Sequence, residues 1–268
     1  MSKHARRSRS RPRPRPRSPR PLALGAALGL LVLGAGWVYA VYEPAGAVAR
    51  HSLAADGRAP GPVRAARGEQ REALQGLPDT SEQTRARIPA DSRQLILVTG
   101  AAKDSSHSTV TFYTRPAPGA DWVKGDSWPA RNGAKGWSTE RSYGDLTSPQ
   151  GVFTLTDAGG LLAKPPGTKL PYDRSGSFVP SGRGVEGESL AGSFDYVVAI
   201  DFNREPGTSP LDPTKPDGED KGGNIWLHVD HDGPSQGCVG IPKEAMRKVL
   251  ETLDPAAKPV IVMGPAGF

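Results

Sequence analysis

Residues 22–42 run without a single charged side chain, LALGAALGLLVLGAGWVYAVY, directly behind a tail rich in arginine and proline. About 20 apolar residues in helical form span the hydrocarbon core of a bilayer. Trp37, Tyr39 and Tyr42 gather at the far end of the run, where aromatic rings favour the membrane–water interface. Residues 1–20 hold nine Lys or Arg and no acid. The positive-inside rule therefore keeps the N-terminus cytoplasmic and sends the chain after the span outside. The run is longer than the apolar stretch of a cleaved signal peptide, about 7–15 residues, so the expectation is an uncleaved anchor. Ala47-Val48-Ala49 and Ala45-Gly46-Ala47 have the small-x-small form of a cleavage site, which leaves secretion after cleavage as the alternative. The Arg-Pro alternation over 11–17 reads as a solvated, polyproline-like tail.

The charge of the rest follows. Removing the nine from the total of 34 Lys and Arg leaves 25 basic against 28 acidic side chains, so the net +6 belongs to the tail. A nucleic-acid-binding body is excluded as the expectation, because phosphate binding needs positive charge gathered on a folded face. The 33 Gly, 27 Pro and 6% aromatic residues argue against a helical bundle and for a turn-rich, mainly β body with long loops. One cysteine excludes a disulfide scaffold.

Residues 43–93 mix Ala, Arg, Gly, Pro and Glu without a sustained apolar period and read as an extracytoplasmic tether, with one short helix between Ala66 and Leu77. Composition changes at Gln94, which opens a domain over 94–268. Segments 94–99, 108–114, 194–201, 224–230 and 259–263 are β-branched and bounded by turn residues, as strands are. A helix lies between the last two. Pro242 suits its first position, Ala245, Met246, Val249, Leu250 and Leu253 form one apolar stripe, and Pro255 closes it. Long loops are expected over 119–147, 158–192 and 203–223, and loops of such length are usually functional or disordered.

The single thiol, Cys238, sits in Gly233-Pro234-Ser235-Gln236-Gly237-Cys238-Val239-Gly240. A Gly just before it lets the backbone approach a ligand closely. On the strand that carries His228, ten residues earlier, Ile225, Leu227 and Val229 share one face while Trp226, His228 and Asp230 share the other. A returning turn brings His228 beside Cys238. A thiol is mostly protonated near neutrality, so nucleophilic work needs a base or a cation next to it. His228 would serve, and the amides of Gly237 and Cys238 would face a developing oxyanion. With His231, Asp230 and Asp232 the pair could form a mixed metal set, but no paired ligand spacing supports one. Alternation also aims His231 away from His228. No metal and no cofactor are expected.

These residues resemble the signature of YkuD-type L,D-transpeptidases of bacterial cell-wall synthesis, in which a histidine precedes Ser/Thr-His-Gly-Cys, an apolar residue and Asn or Arg. Here His228 stands ten positions before Cys238, and Ser235-Gln236-Gly237-Cys238-Val239-Gly240 fills the motif, with Gln236 for its histidine, Gly240 for its polar residue and a shorter spacer. Tyr143-Gly144-Asp145-Leu146-Thr147-Ser148-Pro149-Gln150-Gly151-Val152-Phe153 is similar to the family's Gly-Asp…Thr-Pro-x-Gly-x-Phe stretch. Phe194-Asp195-Tyr196-Val197-Val198-Ala199-Ile200-Asp201-Phe202-Asn203 resembles its Tyr-Asp-Tyr…Ile-Asp-Tyr-Asn strand. The three blocks fall in family order between residues 143 and 240.

The resemblance implies a YkuD-like β-sandwich with one or two short helices. It implies Cys238 as nucleophile, His228 as general base, the Val229 carbonyl as the group orienting His228, and the Gly237 and Cys238 amides as oxyanion donors. Ser235, Gln236 and Trp226 are the candidate substrate-binding positions. The activity implied is cysteine-dependent acyl transfer on peptidoglycan stem peptides, with carbapenem-type lactams as covalent inhibitors. Water in place of an acceptor amine would make the outcome L,D-carboxypeptidase activity. A catalytically inactive wall-binding module on the same fold is the alternative. The anchor reading predicts that the full-length protein sediments with membranes and that protease added to intact spheroplasts removes the C-terminal domain. Protection of that domain would reverse the orientation.

Overall fold

A computed structural model describes residues 77–268. The basic tail, the expected anchor over 22–42 and nearly all of the helix expected between Ala66 and Leu77 lie outside the described residues. Among the described residues no helix is long and apolar enough to cross a membrane.

The described chain is mainly β. In order it forms α1 (Glu82–Ala86), β1 (Gln94–Gly100), β2 (His107–Thr114), β3 (Val123–Arg131), β4 (Trp137–Ser138), β5 (Ser148–Pro149), β6 (Gly151–Thr154), β7 (Ala158–Gly160) and β8 (Tyr172–Arg174). β9 (Val197–Ala199), β10 (Trp226–Val229), β11 (Val239–Ile241), α2 (Lys243–Thr252) and β12 (Val260–Pro265) follow. Ten strands make one curled sheet in the order β6-β12-β1-β2-β3-β11-β10-β9-β7-β8, and β4 pairs with β5 separately. Most pairings in the ten-stranded sheet are antiparallel, but β1·β12, β7·β8 and β10·β11 run parallel.

Why β1 forms is plain from its side chains. Leu95, Ile96, Leu97 and Val98 are consecutive, and all are buried. Alternation sends Ile96 and Val98 into the main core with Ile261 and Met263 of β12 and the α2 stripe. Leu95 and Leu97 go to the opposite side, against Tyr113, Trp122, Val260 and Val262. A strand covered on both faces reads as an unbroken apolar run. The α2 stripe is as expected, with Ala245, Met246, Val249 and Leu250 buried. Pro242 stands at the N-cap, one place before the first helical position expected for it, with φ −52° and ψ 145° and no side-chain cap.

Three expectations change. The loop over 119–147 contains β3, whose sequence VKGDSWPAR is largely exposed. Its partners β2 and β11 supply the pairing that its own side chains do not announce. The loop over 158–192 contains β7 and β8, and the strand expected over 194–201 shortens to β9. The segment 203–223 is a loop with one short turn of 3₁₀ helix, tied down by the Asn203 side-chain amide, which donates to the Gly218 and Gly222 carbonyls.

The tether reading is corrected for residues 77–93, which pack on the domain. Leu77 is only 2% exposed and joins Leu95, Leu97, Val260 and Val262, with Ile88 beside them. Ser81 caps α1 by accepting from Thr84 N–H, its own N–H donates to the Phe268 carbonyl at 2.5 Å, and Arg93 N–H donates to Ala257 O at 2.7 Å. Two isolated apolar residues carry this docking, so no periodicity marks it. Leu77→Ala should lower unfolding free energy by about 2–5 kcal/mol, the cost of a vacated core site, read from denaturant titration. An unchanged midpoint would return these residues to the tether.

Candidate active site

β10 sets the first half of the site. Leu227 and Val229 point into the main core, while Trp226 faces the other side among Phe178, Val197 and Ala199. His228 shares that second side and is 2% exposed. Its Nδ1 lies 2.8 Å from the Val229 carbonyl, the contact that the family resemblance implies. A neutral ring donates Nδ1–H there, which leaves Nε2 as the basic atom. Burial pushes the imidazole down to about 4, against the upward pull of the Val229 bond, and the neighbouring His231 lowers it further. His228 is therefore neutral at neutral pH.

The turn that delivers Cys238 is held by three side chains. Gly237 has φ +146°, and a Cβ there would meet Thr147 O at 2.9 Å, so only glycine fits. Ser148 Oγ accepts from Gly133 N–H and donates to the Gly237 carbonyl, both at 2.8 Å. Buried Arg141 donates from Nε to Thr147 O at 3.0 Å and from Nη2 to Gln236 O at 3.1 Å. Ser235 Oγ accepts from Gly237 N–H at 3.0 Å and donates to the Cys238 carbonyl at 2.6 Å. The Cys238 thiol accepts from Trp226 N–H at 3.4 Å and donates to Asn224 O at 3.6 Å. Burial pushes this thiol up, while the Trp226 N–H and the Arg141 charge pull the other way.

Several expected roles change accordingly. The Gly237 amide is already committed to Ser235, so of the two proposed oxyanion donors it is not free. Ser235 spends its hydroxyl inside the turn and is not available to bind substrate through it. The Trp226 indole is packing, 5.0 Å from the Phe194 ring, and only its backbone N–H reaches the thiol. Gln236 is exposed on the wall of the site. His231 does not point away from His228. The two rings stack at 5.6 Å with 4° between their planes. Alternation fails there because β10 ends at Val229, two residues before His231.

His228 and Cys238 line one cavity of about 280 Å³ with Arg141, Gln236 and His231, and Tyr143, 81% exposed, stands at its rim. Sequence reading missed Arg141 and Glu188, whose Oε1 is 3.0 Å from His231 Nδ1. Ser148 lay inside the second motif block without its role being visible. Among the described residues no three His, Cys, Asp or Glu side chains converge in a metal-binding group. No family model, curated protein or solved structure matches the chain.

Ser148→Ala would strip partners from two buried backbone groups, each costing about 1–3 kcal/mol. The expected outcome is that much lost stability together with a changed alkylation rate at Cys238. Full stability and an unchanged rate would show that the turn holds itself.

Proposed function

We propose that this chain is a YkuD-type L,D-transpeptidase, its β domain a divergent form of that family's sandwich, anchored by residues 22–42 with the domain outside the cell. The observation that carries the reading is the neutral, Val229-oriented His228 sharing a cavity with the only thiol. The order of the three motif blocks supports it further. The second block also has a physical tie to the cysteine motif, because Ser148 holds the cysteine turn and Arg141 bridges the Thr147 and Gln236 carbonyls.

The reaction follows from those groups. The Cys238 proton passes to His228 Nε2 as Sγ attacks the carbonyl carbon of the donor stem's L,D-amide. The C–N bond then breaks, the proton passes to the departing amine, and a thioester remains. The buried Arg141 charge favours the thiolate, and the Cys238 amide is the oxyanion donor left after Gly237 is taken. An acceptor amine or water then resolves the thioester. The partners of this reading are peptidoglycan stem peptides and, as covalent inhibitors, carbapenem-type lactams.

A second reading, the inactive wall-binding module, draws on a specific observation: the resting thiol is hydrogen-bonded to backbone and burial holds it neutral. Intact mass of the full chain in detergent, incubated with a tetrapeptide stem, separates the two. A Cys238 adduct that is lost in Cys238→Ser and forms about 10²–10⁴ more slowly in His228→Ala supports the enzyme. No adduct supports the binding module. The pH profile has a worked sign. Because His228 titrates at about 4 rather than 6.5, it stays basic well below neutrality. Acylation should therefore be lost only as pH falls through about 4, and an acid limb near 6.5 would assign the base elsewhere.

A further inference from the structure

Among the described residues lining the cavity, Arg141 carries the only fixed charge, and none is a carboxylate. Its side chain is 4% exposed, so the charge sits nearly out of water. Its only ion-pair partner among the described residues is Asp145, 3.9 Å from Nε. The Asp145 oxygens already accept from Ser142 N–H, Thr147 N–H and the Thr147 hydroxyl. Burial holds the guanidinium below its usual range by more than Asp145 restores. A buried ion is costly unless it is paired and hydrogen-bonded.

Two of its nitrogens are spent on the cysteine turn, Nε on Thr147 O and Nη2 on Gln236 O. Nη1 is left over. It donates to no group among the described residues, and it is not sealed in as the unpartnered Trp137 and Trp226 nitrogens are. Gly222, at φ +68°, leaves it uncovered: a Cβ there would stand 3.2 Å from Nη1 and 3.4 Å from the Tyr143 ring. Tyr143 and Gly223 line the cavity beside Arg141. At the other end, Nη2 would lie 3.0 Å from a Cβ on Gly237, the residue before Cys238. The guanidinium thus runs from the turn of the thiol to the mouth of the cavity, with its unused N–H groups at the mouth.

A lone cation with unspent N–H groups, in a pocket without acids, suits an anion, and a carboxylate is the anion that a planar guanidinium matches best among the groups of a peptide. We infer that Arg141 binds the α-carboxylate of the residue that departs, so that the donor stem must end at that residue. This rests on the transpeptidase reading. The α-carboxylate stands two bonds beyond the nitrogen of the scissile amide, so a guanidinium set against the cysteine turn can hold it while Sγ meets the carbonyl carbon. A bound carboxylate offsets the pull of Arg141 on the thiolate, and proton transfer to His228 accordingly accompanies attack rather than preceding it. The Sγ–C bond forms, the C–N bond breaks, and His228 returns its proton to the departing amine. The carboxylate leaves with that residue, and the Arg141 charge again faces an open cavity when the thioester is resolved.

The test uses the full chain in detergent with two tetrapeptide donors that differ only at the C-terminus, a free carboxylate in one and a carboxamide in the other. Cys238 acylation is read by intact mass at subsaturating peptide. The unmodified protein should acylate about 10²-fold faster from the acid, the loss expected when one partner of a buried charge pair is removed. Arg141→Gln should slow the acid far more than the amide and bring the two rates together. Arg141 also holds the turn, but that role alone would slow both peptides alike and keep their ratio. Should the glutamine variant form no adduct with either peptide, Arg141→Lys decides, because it keeps the charge without the planar fork; its ratio should fall below that of the unmodified protein and stay above unity. Equal rates in the unmodified protein, or a ratio that the variants leave intact, overturns the carboxylate site and leaves the transpeptidase reading standing. No adduct from either peptide in the unmodified protein overturns both.

Discussion

The hydroxyl of Ser148 is the contact on which the candidate site depends. It satisfies the Gly133 amide and the Gly237 carbonyl at once, both away from water. A buried turn of irregular backbone cannot leave such groups unpaired without a cost comparable to much of a domain's net stability. Arg141 and Ser235 do the same for the backbone of Gln236, Thr147, Gly237 and Cys238. The cysteine is thus presented by a polar scaffold inside a mainly β body, and the scaffold comes from a segment some ninety residues away in the chain.

The same burial sets the resting state of the chemistry. It disfavours charge on both partners, lowering His228 and raising Cys238. A neutral thiol beside a neutral imidazole is a poor nucleophile until something stabilises the ion pair. On the proposed reading a substrate that fills the cavity meets the Arg141 charge and the Cys238 amide, so charge develops only during reaction. Stacking His231 against His228 adds to the penalty for a second positive charge on the pair.

Legibility in the sequence followed local periodicity. The α2 stripe and the two-sided placement of β10 could be read directly, because each depends on spacing within a few residues. β3 could not, since its side chains are exposed and its pairing comes from β2 and β11. Leu77 was hidden for a related reason: one apolar residue docked on a distant strand leaves no period. Arg141 reaches the site only through tertiary folding. His231 misled because alternation was extended past the point where the strand ends.

One more consequence lies in the connection between β10 and β11. These neighbours run parallel, with Leu227 opposite Val239 and Val229 opposite Ile241. Parallel neighbours usually need a crossover of about a dozen residues or more, and here residues 230–238 span the gap with no helix. A link that short has no slack, so Cys238 and His228 are tied to one another by sheet register. Variation in what the cavity admits then falls to the wall contributed by Pro180, Gly184, Val185 and Leu190. That division separates what the site does from what it accepts, and lets the second vary through a loop while the first is held by strands.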